Sequence, residues 1–211
     1  MTGLVSLVGS RTRIWTFFAV AISSGCVPSQ VPSLDALGTQ GYALLEEGDL
    51  VDAMRRAEEG RRRAAGDAAA AWSFLVLQAE VHTARREMAQ ALDILMDPPP
   101  AGATATARTR ALMTAAFAGC YMAAGSAAHS PVDSDSLFRE ASNIALALNA
   151  ALLSDEVELR RGMCLIYQKN YPAAEVTLQA ALRATRAHGL EHLEARVMGT
   201  LGLIRLRTSR F

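Results

Sequence analysis

The sequence predicts an all-α protein whose helices form a solenoid of antiparallel pairs. Strong helix formers dominate its 211 residues, with Ala, Leu, Arg and Glu the most prominent. Aromatic residues make up only 6%, which is low for a protein built from β-strands. Small residues also recur at intervals near forty, and a fixed period of that length is typical of repeat proteins.

Charge and hydropathy exclude two broad classes of protein. Lys and Arg together number 21 and so do Asp and Glu, so the formal net charge is zero. Nucleic-acid binding through the whole chain needs a basic excess, which this balance does not supply. An apolar content of 51% likewise excludes a chain that is disordered throughout.

Residues 1–25 have the order of a secretory signal peptide. Arg11 and Arg13 supply positive charge, residues 14–22 form an apolar run, and residues 23–25 are small. The run is shorter than the stretch of about 20 apolar residues that a membrane-spanning helix needs. Cys26 follows directly, and residues 26–33, with two prolines and no helical period, predict a short tether.

The segment that ends at Cys26 resembles the signal of a bacterial lipoprotein. That resemblance implies cleavage before Cys26, lipidation of its thiol and a lipid-anchored location in the cell envelope. Ser23 stands where such signals usually carry Leu. Two alternatives stay open: an uncleaved anchor or other exported form, and an N-terminus that is not a signal, which would leave the protein cytoplasmic.

Residues 34–211 carry one pattern several times. Each copy has a small residue within its first helix, namely Gly41, Ala79, Gly119, Gly162 and Gly202. The intervals between them are 38, 40, 43 and 40 residues. Each copy then has an apolar or aromatic residue at or near the turn, namely Leu50, Met88, Phe138, Tyr171 and Phe211. A small residue follows in the second helix, namely Ala53, Ala91, Ala141 and Ala174.

Packing explains why each position has its residue type. Two helices approach closely only where a Gly or Ala faces the partner, and the residue at the turn closes the end of the pair. The remaining apolar faces are buried only by the next pair, so neighbouring pairs stabilise one another. In copies one, two and four, twelve residues separate the two small positions, for example Gly162 and Ala174.

This pattern resembles the tetratricopeptide repeat family over essentially all of residues 34–211, with an incomplete last repeat. Pro98, Pro99 and Pro100 stand where the second helix of copy two should end, because proline does not continue a helix. The resemblance implies a non-catalytic scaffold for protein–protein interactions. Its ligand would be a protein or peptide held in a concave groove.

A narrower resemblance is to the N-terminal part of bacterial repeat lipoproteins that carry a caspase-like (CHAT) domain downstream. The segments that carry it are residues 48–50, 79–81, 158–162 and 201–203. It implies an alternative function, the recognition half of a protease-like protein whose catalytic domain lies outside these residues. A third hypothesis is an intracellular regulatory repeat protein.

Other candidate sites are predicted to be structural. His188 and His192 have the i, i+4 spacing of two metal ligands, but Gly189 predicts a turn between them. Cys120 and Cys164 are interpreted as packing residues, with a bridge between them as the alternative. In residues 130–136, Ser134 or Asp135 is predicted to cap the next helix.

The arginines at positions 55, 56 and 61–63 predict a solvated helix face, with contact to anionic lipid as the alternative. For the groove itself, repeat position selects side chains of the first helix of each pair: Ala43, Leu44, His82, Met122, Leu165, Ile166 and Arg205. We expect no metal, no cofactor, no nucleic acid and no small-molecule substrate.

Overall fold

The computed structural model describes residues 31–125 and 132–208, and all regular structure in these ranges is α-helical. The predicted all-α class is therefore confirmed. The helices are α1 (Leu34–Glu47), α2 (Leu50–Arg63), α3 (Ala68–Ala84), α4 (Met88–Leu95), α5 (Ala105–Gly125), α6 (Ser134–Ala147), α7 (Ala151–Tyr167), α8 (Tyr171–His188) and α9 (Glu191–Thr208). None of the described helices is both long and apolar enough to cross a bilayer.

Helix boundaries follow local signals in the sequence. Ser33, Asp49 and Asp67 each accept a hydrogen bond from a backbone N–H in the first turn of α1, α2 and α3, at 3.0–3.1 Å. Gly48 and Gly189 end α1 and α8 with φ of 84° and 68°, a left-handed conformation that glycine adopts without strain.

One predicted cap is wrong. Asp133, and neither Ser134 nor Asp135, caps α6, and its carboxylate accepts from the Ser136 N–H at 3.2 Å. The helix begins at Ser134, so Ser134 and Asp135 already lie in its first turn, where the side chain no longer faces the free N–H groups.

Contacts between helices follow a regular scheme. Every helix contacts the next one along the chain, and α1, α3, α5, α7 and α9 also contact one another in that order. Among the described residues, no corresponding contact joins one even-numbered helix to the next. The odd-numbered helices therefore form a continuous layer, whereas the even-numbered helices are spread apart.

The core consists of apolar clusters that follow one another along the helices. One cluster joins α1, α2 and α3 around Leu37 and Leu77, a second joins α3 to α7 around Met113 and Phe138, and a third joins α7, α8 and α9 around Leu178. Burying side chains of this size stabilises the fold by about 2 kcal/mol each, so the free energy is distributed along the chain.

Candidate functional site

The layer of odd-numbered helices lines a cavity of about 440 Å³. Its wall is made by Tyr42, Leu45 and Glu46 of α1, Glu80, Thr83 and Ala84 of α3, Arg110 and Phe117 of α5, Glu156, Arg160, Met163 and Tyr167 of α7, His192 and Arg196 of α9, with Arg86 and Met88 at one end. All five odd-numbered helices contribute, and a volume of this size is typical of ligand-binding sites.

A network of buried ions lies in the wall of this cavity. The Glu80 side chain is 1% exposed and binds two guanidinium groups from two other helices. Arg110 Nη1 lies 3.3 Å from Glu80 Oε1, and Arg160 Nη2 lies 2.9 Å from Glu80 Oε2. Because α3, α5 and α7 each supply a member, the network links three helices of the odd-numbered layer.

Glu156 continues the network to α9. Its carboxylate lies 3.2 Å from Arg160, 3.7 Å from Arg110 and 3.9 Å from Arg196. Burial alone would raise the pKa of Glu156, but the positive charges of these three arginines lower it below its ordinary value. Arg160 also donates to Thr114 Oγ1 at 3.2 Å, and this bond fixes the plane of the Arg160 guanidinium.

Tyr42 closes the network on the side of α1. The Arg110 guanidinium lies 4.1 Å from the centre of its ring, within the range of a cation–π contact. Burial and the neighbouring Glu80 carboxylate raise the pKa of the Tyr42 phenol far above its ordinary value. The phenol therefore stays neutral, and its ring stacks against the Arg110 guanidinium.

The two ends of the cavity differ in character. At one end, the lining residues Phe117 and Tyr167 pack with their ring centres 5.9 Å apart, and Tyr121, which lies behind the lining, packs against Tyr167 at 5.0 Å. Arg86 lies over the Tyr121 ring at 5.6 Å, and hydrogen bonds to Tyr121 and Tyr167 raise its pKa.

At the other end lies Arg196, whose side chain is 40% exposed and whose guanidinium lies 3.9 Å from the Glu156 carboxylate. Partial burial and the charge of Arg160 lower the pKa of Arg196, against the opposing effect of Glu156. The cavity thus has an aromatic end that carries Arg86 and a second end where Arg196 lies near Glu156.

The cavity lining carries a small excess of positive charge. It has four guanidinium groups, those of Arg86, Arg110, Arg160 and Arg196, and three carboxylates, those of Glu46, Glu80 and Glu156. With His192 neutral, four minus three leaves one formal positive charge. An anionic group on a ligand is therefore favoured over a cationic one.

None of the seven groove candidates lines this cavity. His82 is half-buried and its Nδ1 lies 2.6 Å from the Glu87 carboxylate, within a smaller surface pocket between α2 and α3. Met122 and Leu165 are half-buried against core clusters, and Arg205 is exposed on α9. Of the other three, Ala43 is exposed, Leu44 half-buried and Ile166 buried.

Most of the repeat positions lie at close helix contacts. The small residues Ala53, Ala79, Ala91, Ala141 and Ala174 are fully buried, and Gly41, Gly119 and Gly162 are buried too. Of the turn residues, Leu50, Met88 and Tyr171 are each the first residue of an even-numbered helix, while Phe138 is the fifth residue of α6. Gly202 is exposed, and Phe211 lies outside the described residues.

The interpretation of two cysteines as packing residues is wrong. Cys120 of α5 and Cys164 of α7 form a disulfide bridge, with Cα atoms 5.7 Å apart. Both are almost fully buried, so their apolar surroundings did not distinguish a bridge from packed thiols. Cys26, predicted to be lipidated, lies outside the described residues.

The histidine pair spans a turn, as predicted. His188 is the last residue of α8, Gly189 follows in a left-handed conformation, and His192 lies in α9. His188 Nδ1 is hydrogen-bonded to Asp155 at 2.8 Å. Within residues 31–125 and 132–208, no group of three or more His, Cys, Asp or Glu residues is placed to hold a metal ion.

Four of the five arginines of α2 are exposed, namely Arg55, Arg61, Arg62 and Arg63, whereas Arg56 is half-buried. Arg55 contacts Asp52 at 2.8 Å, and Arg56 contacts Glu59 at 3.2 Å. The exposed Arg55–Asp52 pair contributes little to stability.

The ion network is the part of the site that sequence reasoning missed. One signal was present: Glu80 is the one carboxylate in a 17-residue helix that is otherwise apolar or neutral, apart from His82. A lone acid in such a helix needs a buried cationic partner. The identity of that partner depends on tertiary contacts.

The sequence matches no protein-family model, and no curated protein is significantly similar to it. The resemblance to tetratricopeptide repeats therefore rests on the residue pattern and stays a prediction.

Proposed function

We propose that this protein is an exported interaction module, a solenoid of antiparallel helix pairs similar to tetratricopeptide repeats. Its ligand is a segment of a protein or peptide, held in the cavity of the odd-numbered helices. The observation that carries the proposal is the cavity itself, because side chains from all five odd-numbered helices converge on it.

The scheme of helix contacts supports the solenoid. When stacked helix pairs curve, the helices on the inside of the curve touch one another and those on the outside move apart. The odd-numbered helices have such mutual contacts and the even-numbered helices do not. The cavity then lies on the concave side, where repeat proteins of this kind present an extended binding surface.

A matched pair of variants tests binding in the cavity. Ala84 is exposed and lines the cavity, so Ala84→Trp places a large ring across it, while Ala89→Trp adds the same ring to the exposed surface of α4. On an array of random dodecamer peptides, we expect the wild type and Ala89→Trp to bind a shared set that Ala84→Trp does not bind. If Ala84→Trp binds the same set, the cavity is not the binding site.

Export and lipid anchoring at Cys26 are the second part of the proposal. Two features support it: the order of basic, apolar and small residues before Cys26, and the Cys120–Cys164 bridge, since disulfides persist mainly in oxidising compartments. The bridge uses two of the three cysteines, and Cys26 is the third. Acyl chains on Cys26 would hold the protein at a membrane surface.

Metabolic labelling in a bacterial host tests the anchor. With an alkyne fatty acid as the label, we expect the wild type in the membrane fraction to carry it and Cys26→Ser to lack it. Globomycin should block cleavage before Cys26 in the wild type. An intact, unlipidated N-terminus, identified by mass spectrometry, would contradict the proposal.

A further inference from the structure

We propose that a second pocket, between α2 and α3, binds a phosphate group. This α2–α3 pocket has a volume of about 330 Å³ and shares no lining residue with the cavity of the odd-numbered helices. Its polar lining consists of Glu58, Arg61, Arg62, Gln78, His82 and Arg85. Binding of phosphate here goes beyond the proposed binding of a peptide and does not depend on it.

Positive charge dominates the lining of the α2–α3 pocket. Its three arginines supply three positive charges and Glu58 supplies one negative charge, so three minus one leaves two formal positive charges with His82 neutral. Within the described residues, none of these three arginines forms an ion pair, so no carboxylate balances them at close range. A ligand with two negative charges would neutralise the pocket.

Arg85 is already positioned for a ligand. Its side chain is half-buried, and Nη2 donates to the carbonyl oxygen of Leu50, the first residue of α2, at 2.8 Å. That bond holds the guanidinium in place but uses only part of its set of N–H donors. Because Arg85 is fixed in this way, binding a ligand costs less side-chain entropy than ordering a free surface arginine would.

A buried amide in the same pocket has no partner. Gln78 is 7% exposed, and its side chain forms no hydrogen bond to another described residue. Leaving a buried amide unpaired is costly, so a group of this kind in the wall of a pocket points to a ligand that accepts from it. This observation is independent of the arginine charges, and it separates the α2–α3 pocket from an ordinary basic surface.

A phosphate suits these donors. Its tetrahedral oxygens accept hydrogen bonds from several directions at once, and guanidinium groups bind them with parallel N–H donors. A phosphomonoester carries about two negative charges at pH 7, which matches the excess in the pocket. His82 has one ring nitrogen left for the ligand, since its Nδ1 lies 2.6 Å from the Glu87 carboxylate. That nitrogen donates when the ring is protonated.

Soluble probes test the pocket by NMR titration of the ¹⁵N-labelled protein at constant ionic strength. Glycerol 3-phosphate is a phosphomonoester, glycerophosphoglycerol carries the phosphodiester of a lipid headgroup, and glycerol is the uncharged control. We expect at least one of the two phosphates to shift the Arg85 Nε–H and Gln78 side-chain amide signals, and glycerol to shift neither. Tighter binding of the monoester indicates a soluble phosphorylated ligand, and tighter binding of the diester indicates a lipid headgroup.

Two variants of the lining and a matched control locate the site. Arg61→Gln/Arg62→Gln should weaken binding of the tighter phosphate at least tenfold, the loss expected for one charge-assisted hydrogen bond. Gln78→Leu should weaken it about tenfold without lowering the thermal midpoint, because the amide has no partner to lose. The control, Arg183→Gln/Arg205→Gln, removes two exposed arginines outside the pocket and should bind like the wild type.

Phosphate binding in the α2–α3 pocket is refuted if neither phosphate shifts a pocket signal. It is also refuted if Arg61→Gln/Arg62→Gln or Gln78→Leu binds like the wild type, or if the control pair weakens binding as much, which would show a general effect of charge. The peptide array with Ala84→Trp is read separately from these results, because Ala84 lies outside this pocket.

Discussion

Glu80 places a carboxylate where solvent has almost no access, between guanidinium groups from two neighbouring helices. An ion pair buried in this way costs desolvation energy on both sides. Its net contribution is modest, but the loss of one member is expensive because the other charges remain buried. The network therefore acts mainly as a constraint on geometry, since it is satisfied only when α3, α5 and α7 keep their relative positions.

The first prediction concerns Glu80→Gln. Removing the charge leaves Arg110 and Arg160 with one shared carboxylate, so we expect the free energy of unfolding in urea to fall by about 3 kcal/mol. The control is Glu140→Gln, which removes an exposed carboxylate 3.8 Å from Arg108 and should cost about 0.5 kcal/mol or less. Equal effects of the two substitutions would contradict a stabilising role for the network.

The second prediction concerns the pH dependence of stability through Glu156. Its pKa in the folded protein lies below the value of about 4.3 for an unperturbed Glu. The unfolded state then binds the proton more readily, so the contribution of Glu156 is fully present above about pH 4.3 and is lost as the pH falls through the folded pKa. Urea midpoints measured at several pH values between 7 and 3 should fall less steeply for Glu156→Gln than for the wild type, and identical slopes would exclude the effect.

For single residues, the sequence indicates which side chains are unusual but not which residues they contact. Glu80 stands out in an apolar helix, whereas Arg110 and Arg160 look like any arginine on a helix surface. Arg110 and Arg160 lie 30 and 80 residues from Glu80 along the chain, and no local periodicity encodes contacts at such separations. Repeat position alone selects the groove candidates. The residues that line the cavity, such as Glu80 beside the candidate His82, lie elsewhere around the same helices.

Gly162 and Gly202 occupy the same repeat position but differ in how closely a neighbouring helix approaches them. A Cβ atom built on Gly162 would lie 2.5 Å from Leu178 Cγ, so α7 and α8 approach each other at a distance that only glycine permits. Gly202 is exposed in α9, and a Cβ atom there would meet nothing within 4 Å. The same repeat position therefore requires glycine in α7 but leaves room for a larger side chain in α9.

The third prediction uses this pair. Gly162→Ala should lower the free energy of unfolding by about 2 kcal/mol, because Leu178 and the helix that carries it must shift. Gly202→Ala should raise it by up to about 1 kcal/mol, because alanine stabilises an exposed helix relative to glycine. Thermal unfolding followed by circular dichroism measures both, and a stabilising Gly162→Ala would contradict the close contact.

The sequence predicts helix boundaries better than contacts between distant residues, because the requirements at a boundary are local. Glycine at a tight contact and an apolar residue at a turn are local requirements, so the start of α2 at Leu50 and of α8 at Tyr171 follow from the pattern. The start of α6 does not, because Asp133, Ser134 and Asp135 are all good capping residues in succession. The sequence alone does not select one of the three.

Across the whole molecule, the Cys120–Cys164 bridge and the ion network constrain the same helices. The bridge joins α5 to α7 directly, and Arg110 and Arg160 link the same two helices through Glu80. The bridge acts on the unfolded chain, whose freedom it restricts, whereas the ion network acts only in the folded state. Two independent constraints, one covalent and one ionic, therefore hold α5 and α7 together beside the cavity.

The fourth prediction tests the bridge. Non-reducing tryptic digestion should release residues 111–139 joined to residues 162–169, because Cys120 and Cys164 are the only cysteines in these fragments. The bridge spans 44 residues, and closing a loop of that length stabilises a folded protein by about 4 kcal/mol in the chain-entropy model. Reductant in the urea titration should therefore lower the unfolding midpoint of the wild type and of Cys26→Ser alike. Reductant should leave the unfolding midpoint of a Cys120→Ala/Cys164→Ala variant unchanged. If the two tryptic fragments separate without reductant and the wild-type midpoint is insensitive to it, the two thiols are not bridged.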